Sequence, residues 1–208
     1  VSDTSAEFAP PAVEELPELV VLAAALGDGL IGRKAFRGQE FLLVRREHIV
    51  EALQALRDHP DLRYDYFVEC LGADYSQWEH ARDLPQRFEV LYNLYSTSTY
   101  RRAFLKIGVD EGESVPTAKH IYPGAEYPER EVQDLFGVHF AGNGPIEGQR
   151  FLLPDDWTGY PLRKDHPLGG EDVLFDGGDR GPAVEDLMVP HAGESFPGRT
   201  GTENVSGR

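Results

Sequence analysis

The sequence predicts an α+β fold: a small mixed or antiparallel sheet packed with helices, followed by an irregular, extended C-terminal segment. Three observations carry that prediction. Two helix-type runs lie near the front, an Ala-rich one and one that repeats apolar residues every three to four positions. Strand-type runs follow, alternating apolar with polar residues as half-buried strands do. Helices first and strands after them give the α+β order. Past Gly169 the chain turns glycine-rich and acidic, broken by Pro182, Pro190 and Pro197, with no sustained period.

Residues 1–13 are small and polar, with Pro10-Pro11, and read as a disordered lead-in. Glu14–Leu26 reads as a helix that tolerates Pro17 in its first turn. It ends at Gly27-Asp28-Gly29-Leu30-Ile31-Gly32, a match to G-x-G-x-x-G. A dinucleotide site needs a strand before those glycines and a helix after them. Here an Ala-rich helical run precedes, and a hairpin-like stretch follows over Arg33–Arg45, broken at Gly38-Gln39. The glycines therefore read as a helix C-terminal loop.

Glu40–Arg45 reads as a buried strand, and Glu47–His59 as an amphipathic helix with Ile49, Leu53 and Leu56 on one face, stopped by Pro60-Asp61. Arg63–Leu71 is strand-like, and Gly72-Ala73-Asp74-Tyr75 opens a polar loop to Pro85. Gln86–Ser96 sets Phe88, Val90, Tyr92 and Leu94 against Glu89 and Asn93. Tyr100–Asp110 likewise sets Ala103, Leu105, Ile107 and Val109 against Arg102 and Lys106, before an acidic turn at Asp110-Glu111-Gly112-Glu113. Val115-Pro116-Thr117 offers the N-cap of a short helix that must yield at Pro123-Gly124.

The next helix runs from Pro128, suited to a first helical position, to Phe136, with Gly137 as its stop. Val132, Leu135 and Phe136 share a face; Arg130 and Asp134 are spaced to pair; Glu129 and Glu131 suit the helix N-terminus. Phe151-Leu152-Leu153 reads as a short strand or anchor. The resulting division is an α+β domain over 14–140, an irregular segment over 141–168, and a tail over 169–208. Val173-Leu174-Phe175, Leu187-Met188-Val189 and Phe196 are the tail's candidate anchors.

A chain of 208 residues, 40% hydrophobic and 11% aromatic, can bury one large core. Its net charge of −16 opposes binding to nucleic acid or to an anionic membrane surface. Such a surface serves solubility or a basic partner. A lone cysteine, Cys70, leaves no intramolecular disulfide and no Cys-only metal or iron–sulfur site in this chain. Leu19–Leu26 is too short to span a bilayer, and the acidic N-terminus lacks a signal peptide's basic region. The expectation is a soluble chain.

Recognisable catalytic patterns are missing from the sequence. The seven histidines form no H-E-x-x-H, and no G-x-S-x-G or P-loop occurs. His139 and His166 read as hydrogen-bonding residues, and the acid-flanked pair Arg163-Lys164 as a weak phosphate site. Asp155 and Asp156, with Asp165 and His166, form the one conceivable metal-dependent hydrolase set, but adjacent acids after a proline usually cap a turn. No catalytic, cofactor-binding or metal residue is assigned. From Glu129 to Leu168, charges, glycines and prolines alternate with large apolar groups without a regular period. Burying such a mixture is costly unless each charge has a partner, which points to a docking surface.

Two motifs in that stretch carry a resemblance. The first is Glu129-Arg130-Glu131-x-x-Asp134-Leu135-Phe136-Gly137-Val138-x-Phe140. The second is Leu152-Leu153-Pro154-Asp155-Asp156-Trp157-x-Gly159-x-Pro161-Leu162-Arg163-Lys164-Asp165-x-Pro167-Leu168. Together they resemble the 30 kDa subunit family of respiratory complex I, and the similarity covers roughly residues 14–170. It departs at Gly142–Arg150, and at Tyr160 where the family usually has a histidine.

The resemblance implies a peripheral-arm subunit of a proton-translocating NADH:quinone oxidoreductase, with no redox centre of its own. FMN and Fe–S clusters would sit in other chains. Its partners would be the large quinone-proximal subunit of the 49 kDa type and neighbouring Fe–S subunits. The resemblance assigns partner binding to Glu129, Arg130, Glu131, Asp134, Phe136, Gly137, Pro161, Leu162, Arg163, Lys164 and Asp165. The expected location is the cytoplasmic face of the cell membrane, or the matrix side of the mitochondrial inner membrane. A related membrane-bound hydrogenase or F420H2 dehydrogenase complex would use an equivalent subunit.

Overall fold

The computed structural model describes residues 16–144 and 149–167. The chain divides into two units, Val1–His166 and Pro167–Arg208, and the description below concerns the first. The sequence division at 140/141 falls inside that unit. The tail anchors and Leu168 lie outside the described residues.

α1 (Pro17–Leu26) is followed by the hairpin β1 (Leu30–Phe36) and β2 (Gln39–Val44), then α2 (Ile49–Asp58). β3 (Tyr66–Asp74), β4 (Phe88–Tyr95) and β5 (Arg102–Val109) come next, then the short β6 (Ser114–Pro116), α3 (Glu126–Phe136) and β7 (His139–Ala141). The main sheet runs β1-β2-β5-β4-β3. Its only parallel contact is β2 with β5; the other pairs are antiparallel. This is the mixed sheet of an α+β fold.

Register explains the core. Leu42, Leu105, Tyr92 and Cys70 lie in one row across four strands, and all are buried. Gly72, Val90 and Ile107 form the next row on that face. α1 and α2 pack against each other through their apolar faces, where Leu22, Leu53 and Leu56 have no exposed surface. Removing such a leucine from water stabilises the fold by about 2 kcal/mol. α3 covers the β3 edge: a Cβ added at Gly72 would meet the Phe136 ring at 2.7 Å and Val132 at 3.0 Å. Glycine here permits the helix to approach the strand closely.

The six glycine-motif residues complete a helix–turn–strand order: Gly27, at φ +52°, ends α1, and Gly32 lies inside β1. That is the reverse of the dinucleotide arrangement.

Three local readings change. β3 starts at Tyr66, because His59–Tyr64 folds into a turn closed by backbone bonds from Leu62 and Arg63 to the His59 carbonyl. It extends through Gly72-Ala73-Asp74, the expected loop opening, because those residues pair with Phe88–Val90. Val115-Pro116 does not begin a helix. It pairs in parallel with Phe140-Ala141, a partner about 25 positions away that local propensity does not register. α3 in turn begins at Glu126, two residues earlier than expected, placing Pro128 within its first turn.

Candidate functional site

Each half of the two-part motif is built differently. In the first, α3 supplies three groups at fixed angles. Val132 and Phe136 face the sheet and are buried. Glu129 is fully buried beside them, accepting hydrogen bonds from the Thr117 hydroxyl, the Ala118 N–H at 2.7 Å and the Asn143 amide at 2.8 Å. It thereby joins α3 to the chain after β6 and to the chain after β7. Burial pushes its carboxyl above the usual range, against the pull of those three donors. More than a favourable helix-terminal charge, Glu129 is a buried polar tie.

Asp134 is the second acid of α3, and it does not pair with Arg130. Its Oδ2 accepts the backbone N–H groups of Phe151, Leu152 and Leu153 at 3.3, 2.7 and 2.9 Å, while Arg150 donates to its Oδ1 at 3.2 Å. Desolvation opposes the charge, but these donors outweigh it and hold the carboxyl below its ordinary value. The expected strand or anchor at Phe151–Leu153 is thus a bend wrapped round a carboxylate. Arg130 lies over the rings of Tyr127 and Phe151, at 5.8 and 6.0 Å.

The second half has no regular secondary structure and is held by polar bonds. Arg150 reaches the Trp157 and Gly159 carbonyls at 3.0 and 2.9 Å. Arg163 donates Nε–H to the Phe136 carbonyl at 2.6 Å, bonds Glu111, and packs over the rings of Tyr160 and Phe88. The Leu162 N–H meets the Leu135 carbonyl at 3.2 Å. The two halves therefore meet at the C-terminus of α3. Gly137 sits at that junction with φ +76°, and a Cβ there would lie 2.6 Å from the Tyr160 ring. Both conformation and space demand glycine.

A charged hub fastens this segment to the sheet. Arg87 bonds Asp74 at 3.0 Å, Glu111 at 2.8 Å and Asp165 at 2.8 Å. Asp74 is buried and also accepts the Lys164 and Ser76 backbone N–H groups, both at 2.9 Å. Burial disfavours its charge, yet Arg87 and the two amides win and hold it well below the usual carboxylate range. Arg87 in turn lowers the Asp165 carboxyl.

Asp134, Arg163 and Asp165 are consequently paired with opposite charges inside the chain, and Glu129 is held by neutral donors. The side chains of Glu131 and Lys164 project from the surface, with no hydrogen bond or ion pair among the described residues. Also exposed in the motif region are Tyr127 (58%), Leu152 (55%) and Leu162 (49%). Pro161 is half-buried. The conceivable hydrolase set is dispersed: Asp155 accepts the Arg150 N–H, Asp165 pairs with Arg87, and His166 stacks on Trp157. Among the described residues no three His, Cys, Asp or Glu side chains gather as metal ligands.

Sequence reasoning missed Asp74, Arg87, Glu111, Asn143 and Arg150. Their charged side-chain partners lie 13 to 78 positions away, and, Arg150 apart, nothing nearby in sequence marks them. Arg150 alone carried a local hint, as an arginine followed at once by three large apolar residues.

A family model for the respiratory-chain NADH dehydrogenase 30 kDa subunit matches residues 42–172, spanning both halves of the motif and strands β3, β4 and β5. The chain belongs to that family. Among its relatives, an NADH-quinone oxidoreductase subunit of Roseiflexus sp. (strain RS-1) is 44% identical over 165 residues, covering 79% of this chain and 90% of the relative. The equivalent NADH-quinone oxidoreductase subunit of Roseiflexus castenholzii is 46% identical, covering 76% and 86%.

Two solved structures share the fold. One is the trypsin-resistant fragment of Nqo5, with TM-score 0.53 and 27% identity, covering 61% of this chain and 97% of the fragment. The other belongs to a membrane-bound sulfane sulfur reductase, an archaeal respiratory membrane complex. It has TM-score 0.56 and 25% identity, covering 82% of this chain and 95% of that one. Among the described residues of this 30 kDa-family chain, no helix is long and apolar enough to cross a membrane.

Proposed function

We propose that this chain is an architectural, non-redox subunit in the peripheral arm of a proton-translocating NADH:quinone oxidoreductase. The observation that carries the proposal is the internal locking of the two motif halves. Asp134, Arg163 and Asp165 direct their charges to Arg150, Glu111, Arg87 and backbone groups, making a rigid block from an irregular segment. Outward, that block offers Tyr127, Leu152 and Leu162 with Glu131 and Lys164. Such a mixture of apolar anchors and unpaired charge suits a contact between subunits.

On this reading the block docks on the quinone-proximal 49 kDa-type subunit, with the Fe–S subunits close by. FMN and the clusters belong to those partner chains, which carry electrons from NADH to quinone. This chain positions its neighbours and lies peripherally on the cytoplasmic (or matrix) side of the membrane. Within the motif, Glu129, Phe136, Gly137 and Pro161 shape the block, while Arg130 holds Tyr127 and Phe151 in place.

Leu162→Asp tests the docking. It is expected to weaken binding of the chain to the remainder of the complex by about 2 kcal/mol, roughly 30-fold in Kd. Thermal unfolding of the isolated chain should stay unchanged, since that side chain is 49% exposed. A variant that assembles normally, with full NADH:quinone turnover, contradicts the reading.

The likeness to the archaeal sulfane sulfur reductase chain supports one second reading, an equivalent subunit in a related complex with another electron input. Membrane-bound hydrogenase and F420H2 dehydrogenase complexes are of that kind. NADH oxidation by the purified assembly separates the two.

A further inference from the structure

At the far end of the sheet from the charged hub, the parallel contact between β2 and β5 is short. It covers only Phe41–Leu43 against Phe104–Lys106. Both strands continue beyond it, through Gln39-Glu40 and Arg102-Ala103, but there the ladder between them has ended, and both stretches line a cavity of about 770 Å³. Gln39 and Glu40 pair with β1 on their other side, and Arg102 and Ala103 with β4. Among the described residues, the edges that these stretches turn towards each other therefore carry no ladder partner. Unpaired edges of this kind are templates for an added extended chain.

The walls and the charges narrow the choice of occupant. Leu42 and Ala103 give the groove an apolar floor, and Phe36, 55% exposed, stands at its rim. Among the described residues both lining acids have cationic partners: Glu18 is bonded by Arg101 at 2.9 Å, and Glu40 faces Arg33 at 3.7 Å. Arg37 and Arg102 also line the groove, and among the described residues neither meets a carboxylate. They lie instead over the Phe36 and Tyr95 rings. On a chain of net charge −16, this is a local basic site over apolar walls. Aligned main-chain edges favour an extended backbone over a compact anion, and two free guanidinium groups favour carboxylates.

We propose that this groove receives an extended acidic segment of a partner polypeptide, which adds main-chain hydrogen bonds between β2 and β5. Its carboxylates meet Arg37 and Arg102, and an apolar side chain packs against Phe36 and Leu42. The chain belongs to a family of complex-forming subunits, so partner polypeptides are at hand. The groove is separate in sequence from the motif block and forms a second contact.

The probe is the capped peptide Glu-Val-Glu-Phe-Glu-Val-Glu, titrated into the full chain with backbone amides followed by NMR. Shifts are expected at Gln39, Glu40, Arg102 and Ala103. The double variant R37E/R102E should raise Kd at least about tenfold. R37Q/R102Q, which keeps the side-chain stems, should weaken binding less. A Lys-for-Glu version of the peptide should leave the spectrum unchanged.

The proposal is overturned if the acidic peptide causes no shift, if R37E/R102E and R37Q/R102Q both bind it as the parent does, or if inorganic phosphate reproduces the shifts. In the assembled complex, p-benzoylphenylalanine replacing Phe36 should crosslink to an acidic stretch of another subunit. Crosslinks to residues 1–15 of the same chain, to lipid, or to nothing overturn the assignment to a partner.

Discussion

The two halves of the motif solve one problem, holding charged residues in a folded block, by opposite means. The α3 half buries apolar surface and tucks one carboxylate, Glu129, among three neutral donors. The irregular half buries little. It keeps its shape through carboxylates ringed by backbone N–H groups and arginines: Asp134 with Arg150, and Asp74 with Arg87. A helix satisfies its own backbone, so its side chains are free to pack. An irregular segment must find outside partners for its N–H groups, and fixed carboxylates supply them.

The largest test of that contrast is Phe136→Ala, which removes a buried ring against β3 and is expected to cost about 3 kcal/mol of global stability in urea unfolding. If the two halves were held alike, Asp134→Ala would do the same. Instead it should cost about 2 kcal/mol and act locally, freeing the N–H groups of Phe151, Leu152 and Leu153 to exchange with solvent. Hydrogen exchange that rises evenly over the whole domain would break the comparison.

Acid titration sharpens it further, because the two halves respond with opposite sign. Asp134 and Asp74 have depressed folded-state pKa values. Their contribution is present above the unfolded value of roughly 3.9 and is lost as pH falls through the folded values. Glu129 has a raised value. Its site is best satisfied below the unfolded value of roughly 4.3, and the cost of its charge grows as pH rises through the folded value. Lowering the pH from roughly 4 down through those depressed folded values should therefore release residues 149–166 while α3 stays on the sheet. Proteolysis followed across pH reports both. Glu129→Gln should flatten the pH dependence of α3 alone.

The smallest effect is expected at the hub's outer arm. Glu111 is 56% exposed at its side chain although it touches both Arg87 and Arg163. Glu111→Gln should cost about 0.5 kcal/mol at low salt and nothing measurable in about 1 M salt. A cost that survives high salt would mean the hub is drier than its exposure indicates.

Legibility in the sequence follows the same divide. α3 was readable because Val132 and Phe136 keep helical spacing and Gly137 marks the end. Arg130 and Asp134 have equally good spacing, yet do not pair. Four donors at Arg150–Leu153 offer Asp134 more than the one guanidinium of Arg130 can, and periodicity carries no information about a competitor 16 to 19 positions away. Phe151–Leu153 misled for the same reason: an apolar triplet suggested a strand, while its backbone was committed to a carboxylate. Val115-Pro116 reads as a helix start locally and becomes a strand only because Phe140 arrives beside Val115.

By itself, the sequence determined the α+β class, the alternating burial of β5 (though not of β4, where Glu89 and Asn93 are buried too), the helix of the first motif half, and through both motifs the family. Burial of apolar faces at fixed periods is a local property, and a long motif is a local string. Tertiary structure alone decided the strand order with its parallel β2–β5 contact, and the partners of Asp134, Arg163 and Asp165. A charged side chain has the same appearance in sequence whether it faces water, a neighbouring polypeptide or its own backbone, and only the folded chain brings together the groups that compete for it.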